Sequence, residues 1–404
     1  MDDAWKLIRP RESSRRHLWI GQLCLTIAVG VAYFFAAEMS LALVTKPYGV
    51  AVFWPAAGIS SGTLIALGSR VSLPVTLGVV TSSTEASLIA NINLAAATVF
   101  ALSNAGEPLL VAWLIQRQFG ENFRLESLRS VVGFFMAAGV GPAASASVAT
   151  VGFILFYSST APVLTTWLNW FASDALGIIV VAPLLIGLAG LRDNLPRRWE
   201  LAHGTLTLVA LAVVSALAFR SSARHWFTAF PLAVLLLILL AAHCRLVFAA
   251  AAALILGFAV VGTMTFAISG VGELPDLHDR AYAARATLLA ISTCTLVLAA
   301  LFAERRQKEA ALKDSNDRLE LALDCAELGT WRLHLKSGTS KMTSAIDTFT
   351  GMVRMHQHKP SRRCALMSIP RTSPSWTLPS RHCDVLAAAA GRSTASRLDL
   401  MMSA

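Results

Sequence analysis

One apolar stretch decides the fold: LWIGQLCLTIAVGVAYFFAAEMSLALV, residues 18–44, which contains no Lys or Arg. A membrane-spanning helix needs about 20 mainly apolar residues, whereas the apolar core of a signal peptide has about 7 to 15. No small-residue cleavage site follows the stretch, so we expect it to remain in the protein as a first membrane-spanning helix. Residues 1–17 carry five Lys or Arg and predict a basic, cytoplasmic N-terminus.

Nine further apolar runs follow along the chain. They are residues 50–68, 73–90, 94–116, 130–157, 163–191, 204–219, 226–243, 246–269 and 286–303. Several of them are close to the minimum of about 17 residues for a span. The sequence therefore predicts an all-α polytopic membrane protein with ten transmembrane helices, or with eight if the short runs are re-entrant or merged.

The composition of the whole chain supports this class. Of the 404 residues, 55% are hydrophobic and 14% are charged, and the mean hydropathy is +0.60. An ordinary cytosolic enzyme, a disordered chain or a disulfide-rich secreted domain does not need so many apolar residues. The six cysteines include no C-x-x-C pair, so the sequence indicates neither a metal site nor a disulfide framework.

The net charge of +10 would suggest a nucleic-acid partner for a soluble protein. Here most Lys and Arg lie in short gaps between apolar runs, where positive charge sets the orientation in the bilayer. With ten spans and both termini in the cytoplasm, most of these residues fall inside. The residues that fall outside are Lys46, Arg220, Arg224, Arg280 and Arg285. We therefore expect the lipid bilayer, and no nucleic acid, as a partner.

The composition changes abruptly at Glu304. The sequence ERRQKEAAL, residues 304–312, continues the last apolar run without a Pro or Gly that would end the helix. Residues 304–317 therefore predict a helical signalling linker, in which Glu304, Arg305 and Arg306 are the candidate transmitting residues. Leu312, Leu319 and Leu323 recur at about helical or heptad spacing, but the repeat is too short to establish a coiled coil. A solvated helical stub is an equally good interpretation.

Several phrases in the apolar region carry a family resemblance. In chain order they are FWPAAGI (53–59), NAGEPLLVAWL (104–114), WLNWFASDALG (167–177), APL (182–184), FP (230–231) and AERR (303–306). Together they resemble the first family of the membrane-associated sensor (MASE) domains of bacterial signalling proteins. Two positions depart from the family pattern: Ser173 stands where Gly is frequent, and HCRL at 243–246 replaces an Arg-aromatic-Gly phrase.

The resemblance implies an integral membrane sensory input domain over residues 18–303, in a bacterial inner (plasma) membrane. In complete relatives the output is typically a histidine kinase of a two-component system or a diguanylate cyclase. The sequence contains no kinase, cyclase or phosphodiesterase motif, so we expect no enzymatic activity and no cofactor. The stimulus, a small molecule or a change in the membrane, is not identified by the sequence, and a homodimer is expected by analogy only.

A second resemblance begins after the linker. Residues 318–333 and 348–352 resemble the opening of an α+β PAS sensory domain, but only the segment 318–352 matches, which is too short for a complete core. Residues 353–404 are rich in Arg, Ser, Pro and His and show neither strand nor helix periodicity. We expect this tail to be disordered or the product of a reading-frame change that removed the output domain.

Ionisable side chains at membrane depth are costly and are functional candidates by default. Glu38, Glu85, Glu107, Asp174 and His243 qualify. Glu107 and Asp174 are the strongest candidates for ligand binding or signal sensing, because both lie in motifs of the family resemblance.

Four further residues of the resembling motifs complete the candidate site: Asn104, Trp54, Trp167 and Trp170. Asn104 can pair with a buried carboxyl group, and the Trp side chains could form a ligand platform or anchor the helices at the membrane interface. The carboxyl groups could equally hold helices together by hydrogen bonds, or line a transport path. The alternative function is therefore a secondary transporter or channel with buried carboxylates, and a membrane scaffold is a third.

Overall fold

The computed structural model describes residues 12–42, 51, 53–156, 162–191, 196, 198–220, 223–265, 277–326, 331–334, 339–342 and 367–368. Within these ranges the chain forms ten α-helices. They are α1 (Glu12–Ala42), α2 (Pro55–Leu67), α3 (Ser72–Ile89), α4 (Leu94–Phe119), α5 (Leu128–Phe156), α6 (Val163–Gly190), α7 (Arg198–Arg220), α8 (Ala223–His243), α9 (Leu246–Thr265) and α10 (Leu277–Cys325). A short 3-10 helix, Ser69–Val71, joins α2 to α3.

Each of the ten apolar runs coincides with one helix, which confirms the predicted helical membrane protein. Six helices are long and apolar enough to cross a membrane among the described residues, namely α1, α4, α5, α6, α7 and α10. The prediction of eight to ten spans goes beyond this number. The helix α10 is much longer than the apolar run 286–303, because the charged sequence after Glu304 continues the same helix.

The helix α2 differs most from the expected run 50–68. It has 13 residues and begins at Pro55, whose missing N–H group costs nothing in the first turn of a helix. Its length is about 20 Å, whereas the hydrocarbon core of a bilayer is about 30 Å thick. The helix is therefore too short to cross a bilayer alone.

The distribution of side chains is the reverse of that in a soluble protein. Large apolar side chains are exposed along the outer helices. Trp19, Leu155 and Leu206, for example, are 70%, 68% and 69% exposed. Small polar side chains are buried between helices, among them Ser60, Ser82 and Ser145. Lipid would cover the apolar outer surface, and small residues allow helices to approach closely inside a membrane.

The interior contains two main apolar clusters. The first includes Tyr33, Leu64, Phe134 and Ile178 and joins α1 to α6, with Leu296 of α10 added. The second joins α7 to α10 around Leu211, Leu240 and Leu256. The helix α6 belongs to the first cluster and also contacts α9, so it lies between the two groups of helices.

After α10 the structure describes three short strands, β1 (Trp331–His334), β2 (Thr339–Met342) and β3 (Met367–Ser368). They pair antiparallel in the order β1-β2-β3, with Trp331 opposite Met342. Most of the PAS-like segment 318–352 beyond α10, and most of the tail 353–404, lie outside the described residues. The expectations for both segments therefore stay predictions.

Candidate functional site

Glu107 of α4 and Asp174 of α6 form a buried carboxyl pair. The two residues are 3% and 2% exposed, and their side chains share a hydrogen bond. A hydrogen bond between two carboxyl groups needs a proton on one of them, since an ionised carboxylate only accepts. The pair is therefore a place where a single proton can be held between two helices.

Serine side chains surround the carboxyl pair. Glu107 hydrogen-bonds the side chain of Ser145 in α5, and the Ser145 backbone carbonyl accepts a bond of 2.8 Å from Ser103 Oγ. Ser173 Oγ lies 3.4 Å from Asp174 Oδ1. Glu107 Oε2 and Asp174 Oδ2 are buried, and apart from the bond between the two carboxyl groups neither has a partner within the described part of the chain. The pair is therefore held by its own hydrogen bond and by serine hydroxyl groups.

A second network of hydrogen-bonded side chains lies beside the carboxyl pair and joins four segments of the protein. Trp54 Nε1 donates to the hydroxyl oxygen of Tyr33 at 3.4 Å, and that hydroxyl also hydrogen-bonds Ser83. Asn104 Nδ2 donates to Ser83 Oγ at 2.9 Å. This network therefore connects α1, α3, α4 and Trp54, the residue before α2. At its centre is the phenol of Tyr33, which is 1% exposed.

A cavity of about 120 Å³, here called the Asp174 cavity, opens between these groups. Its polar wall contains Asp174, Asn104, Trp54 and Trp170, and Phe100 belongs to its apolar wall. Trp170 packs against Phe100 with ring centroids 5.0 Å apart. A cavity of this size and mixed polarity can hold several water molecules or a small ligand.

The backbone places Trp54 against α6 through two glycines. The Trp54 backbone N–H donates to the Ser173 carbonyl at 3.1 Å. A Cβ atom on Gly177 would collide with the Trp54 carbonyl, and one on Gly58 would collide with the Gly177 carbonyl. The two motifs FWPAAGI and WLNWFASDALG therefore contact each other directly in the folded protein.

The structure brings most, but not all, of the predicted residues together. Asp174, Asn104, Trp54 and Trp170 line the Asp174 cavity, and Glu107 reaches it through Asp174. Trp167 does not line it: its Nε1 donates to Ser147 Oγ at 3.1 Å, and its ring stacks on Phe171. Trp167 is thus a helix–helix contact between α6 and α5.

The other ionisable candidates also lie outside this cavity wall. Glu85 and His243 are exposed. The described hydrogen bond of His243 joins its Nδ1 to the backbone carbonyl of Leu239 in the same helix. Glu38 has one buried oxygen, Oε1, that finds no partner among the described residues. None of the three lines the Asp174 cavity.

Two of the linker residues and the neighbouring Gln307 contact two loops of the helical bundle. Glu304 accepts a hydrogen bond from the backbone of Leu128 at the start of α5, and Gln307 Nε2 donates to Glu126 at 2.7 Å. Arg306 donates to the carbonyls of Ala242 and Cys244, at 2.8 and 3.4 Å, in the turn between α8 and α9.

Arg305 differs from its neighbours in the linker. Its side chain pairs with Glu309 of the same helix at 2.7 Å, and both side chains are exposed. Glu304 likewise has a partner on α10, Lys308, at 2.8 Å. Of the three predicted transmitting residues, Glu304 and Arg306 therefore hold α10 to other parts of the bundle.

Sequence reasoning missed Tyr33, Ser83 and Ser145. Tyr33 offered little signal beyond the rarity of Tyr, of which the chain has four, because a single Tyr fits an apolar run without penalty. The serines offered little, because small polar residues are common in packed membrane helices. No group of three His, Cys, Asp or Glu side chains that could hold a metal ion occurs in the ranges that the structure describes.

Comparison with known proteins gives one family match. The MASE1 family model matches residues 23–307 of the chain. No curated protein and no solved structure matches significantly. The match begins inside α1 and ends three residues after Glu304, so it contains the carboxyl pair, the Asp174 cavity and the loop contacts of α10.

Proposed function

Since this chain belongs to the MASE1 family, a family of membrane-associated sensory domains, we propose that it acts as an integral membrane input module for signal transduction. The carboxyl pair and the Asp174 cavity receive the stimulus, and α10 passes the response to the cytoplasmic side. The module itself is not catalytic, and its complete relatives would carry the enzymatic output.

The observation that carries the proposal is the buried carboxyl pair beside a cavity. Ionisable side chains buried in a membrane bundle are costly, and they mark functional sites by default. Glu107 and Asp174 are such side chains, at 3% and 2% exposed. A proton, water or a small polar ligand that reaches them changes the attraction between α4 and α6.

The contacts of α10 supply a route out of this site. The helix α4 leads into the loop that contains Glu126, and Glu126 accepts a hydrogen bond from Gln307. Leu128, at the start of α5, bonds Glu304. A change in the spacing of α4 and α6 would therefore move the loop that α10 rests on. This requires two arrangements of the loop, as transmission between distant sites does in general.

The wider organisation follows the same proposal. The membrane domain covers residues 18–303 and lies in a bacterial inner membrane with eight to ten spans and both ends in the cytoplasm, as the Lys and Arg distribution favours. Residues 304–317 form the linker, and the PAS-like segment 318–352 would lead to an output domain. The tail 353–404 is the part that a reading-frame change would have replaced.

A second copy of the chain is the proposed partner of the linker. Leu312 and Leu319 are seven residues apart on the charged part of α10 and are 63% and 58% exposed. Apolar residues at this spacing on a polar helix favour pairing with another helix. The molecular mass of the detergent-solubilised protein measures this directly, and a strictly monomeric mass contradicts it.

A fusion protein tests the sensory role. Residues 1–325 are joined to the catalytic part of a diguanylate cyclase, and cyclic dinucleotide is measured in cells. We expect the output to differ from that of a fusion that begins at residue 304, and to respond to substitutions at the carboxyl pair. An output that ignores both changes contradicts the proposal. Solute or proton uptake by proteoliposomes of the purified chain would favour the transporter alternative.

A further inference from the structure

The Asp174 cavity combines aromatic rings with a carboxyl group. Trp54, Phe100 and Trp170 line it together with Asp174. Trp170 packs against Phe100 with ring centroids 5.0 Å apart and ring planes tilted by 50°. The indole N–H of Trp170 also donates to the Asp174 carboxyl group. Two of the rings and the carboxyl group are therefore held in contact with one another.

The carboxyl pair places negative charge beside these rings. One proton satisfies the hydrogen bond between Glu107 and Asp174, and with that proton the pair carries one negative charge. Hydroxyl and indole donors stabilise this charge without neutralising it. Among the described residues of the cavity wall none is Lys or Arg. Arg285 donates to the Ala51 carbonyl of this wall at 3.2 Å, but it is not itself a wall residue. A buried charge is stabilised by a counter-ion, so the cavity favours a ligand that is a cation.

The size and place of the cavity narrow the choice of cation. Its volume of about 120 Å³ is below the ~300–1,000 Å³ of pockets for drug-sized ligands, so it suits a compact ion. Leu41, near the end of α1, and Ile92, between α3 and α4, belong to its wall. In the proposed orientation α1 begins on the cytoplasmic side, so its last turn lies on the outer side. A water-soluble ion from the periplasm would therefore enter at this end of the bundle.

We propose that the Asp174 cavity binds a small quaternary ammonium ion, with the methyl groups of the ion against Trp54, Phe100 and Trp170. Aromatic faces attract such a cation, and its methyl groups fit an apolar wall. The attraction to the carboxyl pair is Coulombic and needs no free acceptor atom, so the existing hydrogen bonds of Asp174 do not oppose it. The ion would be the stimulus received by this cavity, so the assignment rests on the proposed function.

Direct binding to the full chain tests the assignment. The protein is purified in dodecyl maltoside, a neutral detergent without a choline head group, and radiolabelled choline is the probe in equilibrium dialysis. The competitors are the tert-butyl analogue of choline, which has its shape without the charge, and ethanolamine, which has a charge without the methyl groups. We expect saturable choline binding that unlabelled choline displaces and neither competitor displaces at the same concentration.

Three results of this experiment would overturn the assignment. Absence of saturable choline binding would contradict it outright. Equal displacement by the tert-butyl analogue would show that the positive charge is irrelevant. Equal displacement by ethanolamine would show that the cavity selects an ammonium group through its N–H donors, in place of a methyl-covered cation.

Two pairs of variants separate binding from folding. Asp174→Asn removes the charge and should weaken choline binding about tenfold or more, whereas Glu85→Gln, at an exposed carboxylate, should not. Phe100→Leu keeps Asp174 and removes one ring of the wall. We expect a loss of about tenfold, or about 1.4 kcal/mol, which is within the range of a desolvated cation–π contact. Its control is Phe134→Leu, because Phe134 is as buried as Phe100 but does not line the cavity. Unchanged binding in a folded Phe100→Leu protein contradicts the assignment.

The cyclase fusion distinguishes a failure of this binding from a failure of the proposed function. If choline binds and the output of the fusion ignores it, the binding site stands and the sensory role of the cavity is contradicted. If the output responds to substitutions at the carboxyl pair and choline does not bind, the sensory role stands and the quaternary ammonium assignment is wrong.

Discussion

The backbone N–H of Trp54 donates a hydrogen bond of 3.1 Å to the carbonyl of Ser173, the residue before Asp174. Trp54 precedes the short helix α2, and Ser173 lies inside the long helix α6. A helical carbonyl that accepts a bond from another segment needs that segment's backbone to come very close. The glycines Gly58 and Gly177 permit this approach, and it brings the indole of Trp54 to the wall of the Asp174 cavity.

Gly177→Ala should destabilise the membrane domain by about 1–3 kcal/mol or more, as overpacking of a tight core does. The added Cβ would collide with the Trp54 carbonyl, which is backbone and cannot turn away. Thermal unfolding in detergent measures the effect. Gly106→Ala is the control, because nothing lies within 4 Å of its Cβ position. Equal melting temperatures for the two variants would contradict the close contact of α2 and α6.

Glu107→Gln and Asp174→Asn should each change the output of the cyclase fusion by about fivefold or more, the range of typical coupling energies. An amide preserves the shape of the side chain but cannot take up or release the shared proton. Cyclic dinucleotide in cells is the readout. Glu85→Gln removes an exposed carboxylate of α3 and should leave the output unchanged. If all three variants signal like the parent, the carboxyl pair is only a structural contact.

The helices could be predicted from the sequence because the hydrocarbon core demands long apolar runs with every backbone group paired. The run 94–116 thus became α4, Leu94–Phe119. The start of α2 at Pro55 was less visible, since apolarity alone does not show where a short helix begins. The MASE1 family model matches residues 23–307, which confirms the predicted family. The family could be predicted because the order of several motifs is more specific than any one of them.

The candidate site was predictable only in part. Glu107 and Asp174 were visible because a carboxylate inside an apolar run is rare. Tyr33 was not, because a single Tyr fits an apolar run without penalty, and its contact with Trp54 is created by the folding of α1 against α2. Arg285 was counted as a charge that orients the protein, yet it is buried against Asn169. Such pairings depend on tertiary contacts between distant residues, which periodicity does not contain.

Tyr33→Phe should lower stability by about 1–3 kcal/mol, the cost of leaving buried hydrogen-bonding groups without a partner. The hydroxyl accepts the bond from Trp54 Nε1 and also bonds Ser83, and the variant removes only this oxygen. Thermal unfolding in detergent measures the loss. Tyr282→Phe is the matched control, because Tyr282 is 54% exposed. A melting temperature that falls equally in both variants would show that the hydrogen-bonded network around Tyr33 contributes nothing specific.

Arg306→Gln should reduce the coupling between the carboxyl pair and the output. Arg306 holds α10 to the turn between α8 and α9 through the carbonyls of Ala242 and Cys244. Its loss loosens α10, so a movement that begins at Glu107 is transmitted less completely. The measurement is a double-mutant cycle in the cyclase fusion, because such a cycle isolates the interaction between two positions. We expect Glu107→Gln to change the output less in the Arg306→Gln background than in the parent.

Arg305→Gln is the matched control for this cycle, because its described ion-pair partner, Glu309, lies on the same helix and both side chains are exposed. Exposed ion pairs of this kind contribute about 0–1 kcal/mol, so the effect of Glu107→Gln should persist in that background. Hydrogen exchange at residues 304–312 should accelerate in Arg306→Gln and change little in Arg305→Gln. If the two backgrounds give the same coupling, the signal does not pass through the contact of α10 with the turn between α8 and α9, and the loop around Glu126 remains as its route.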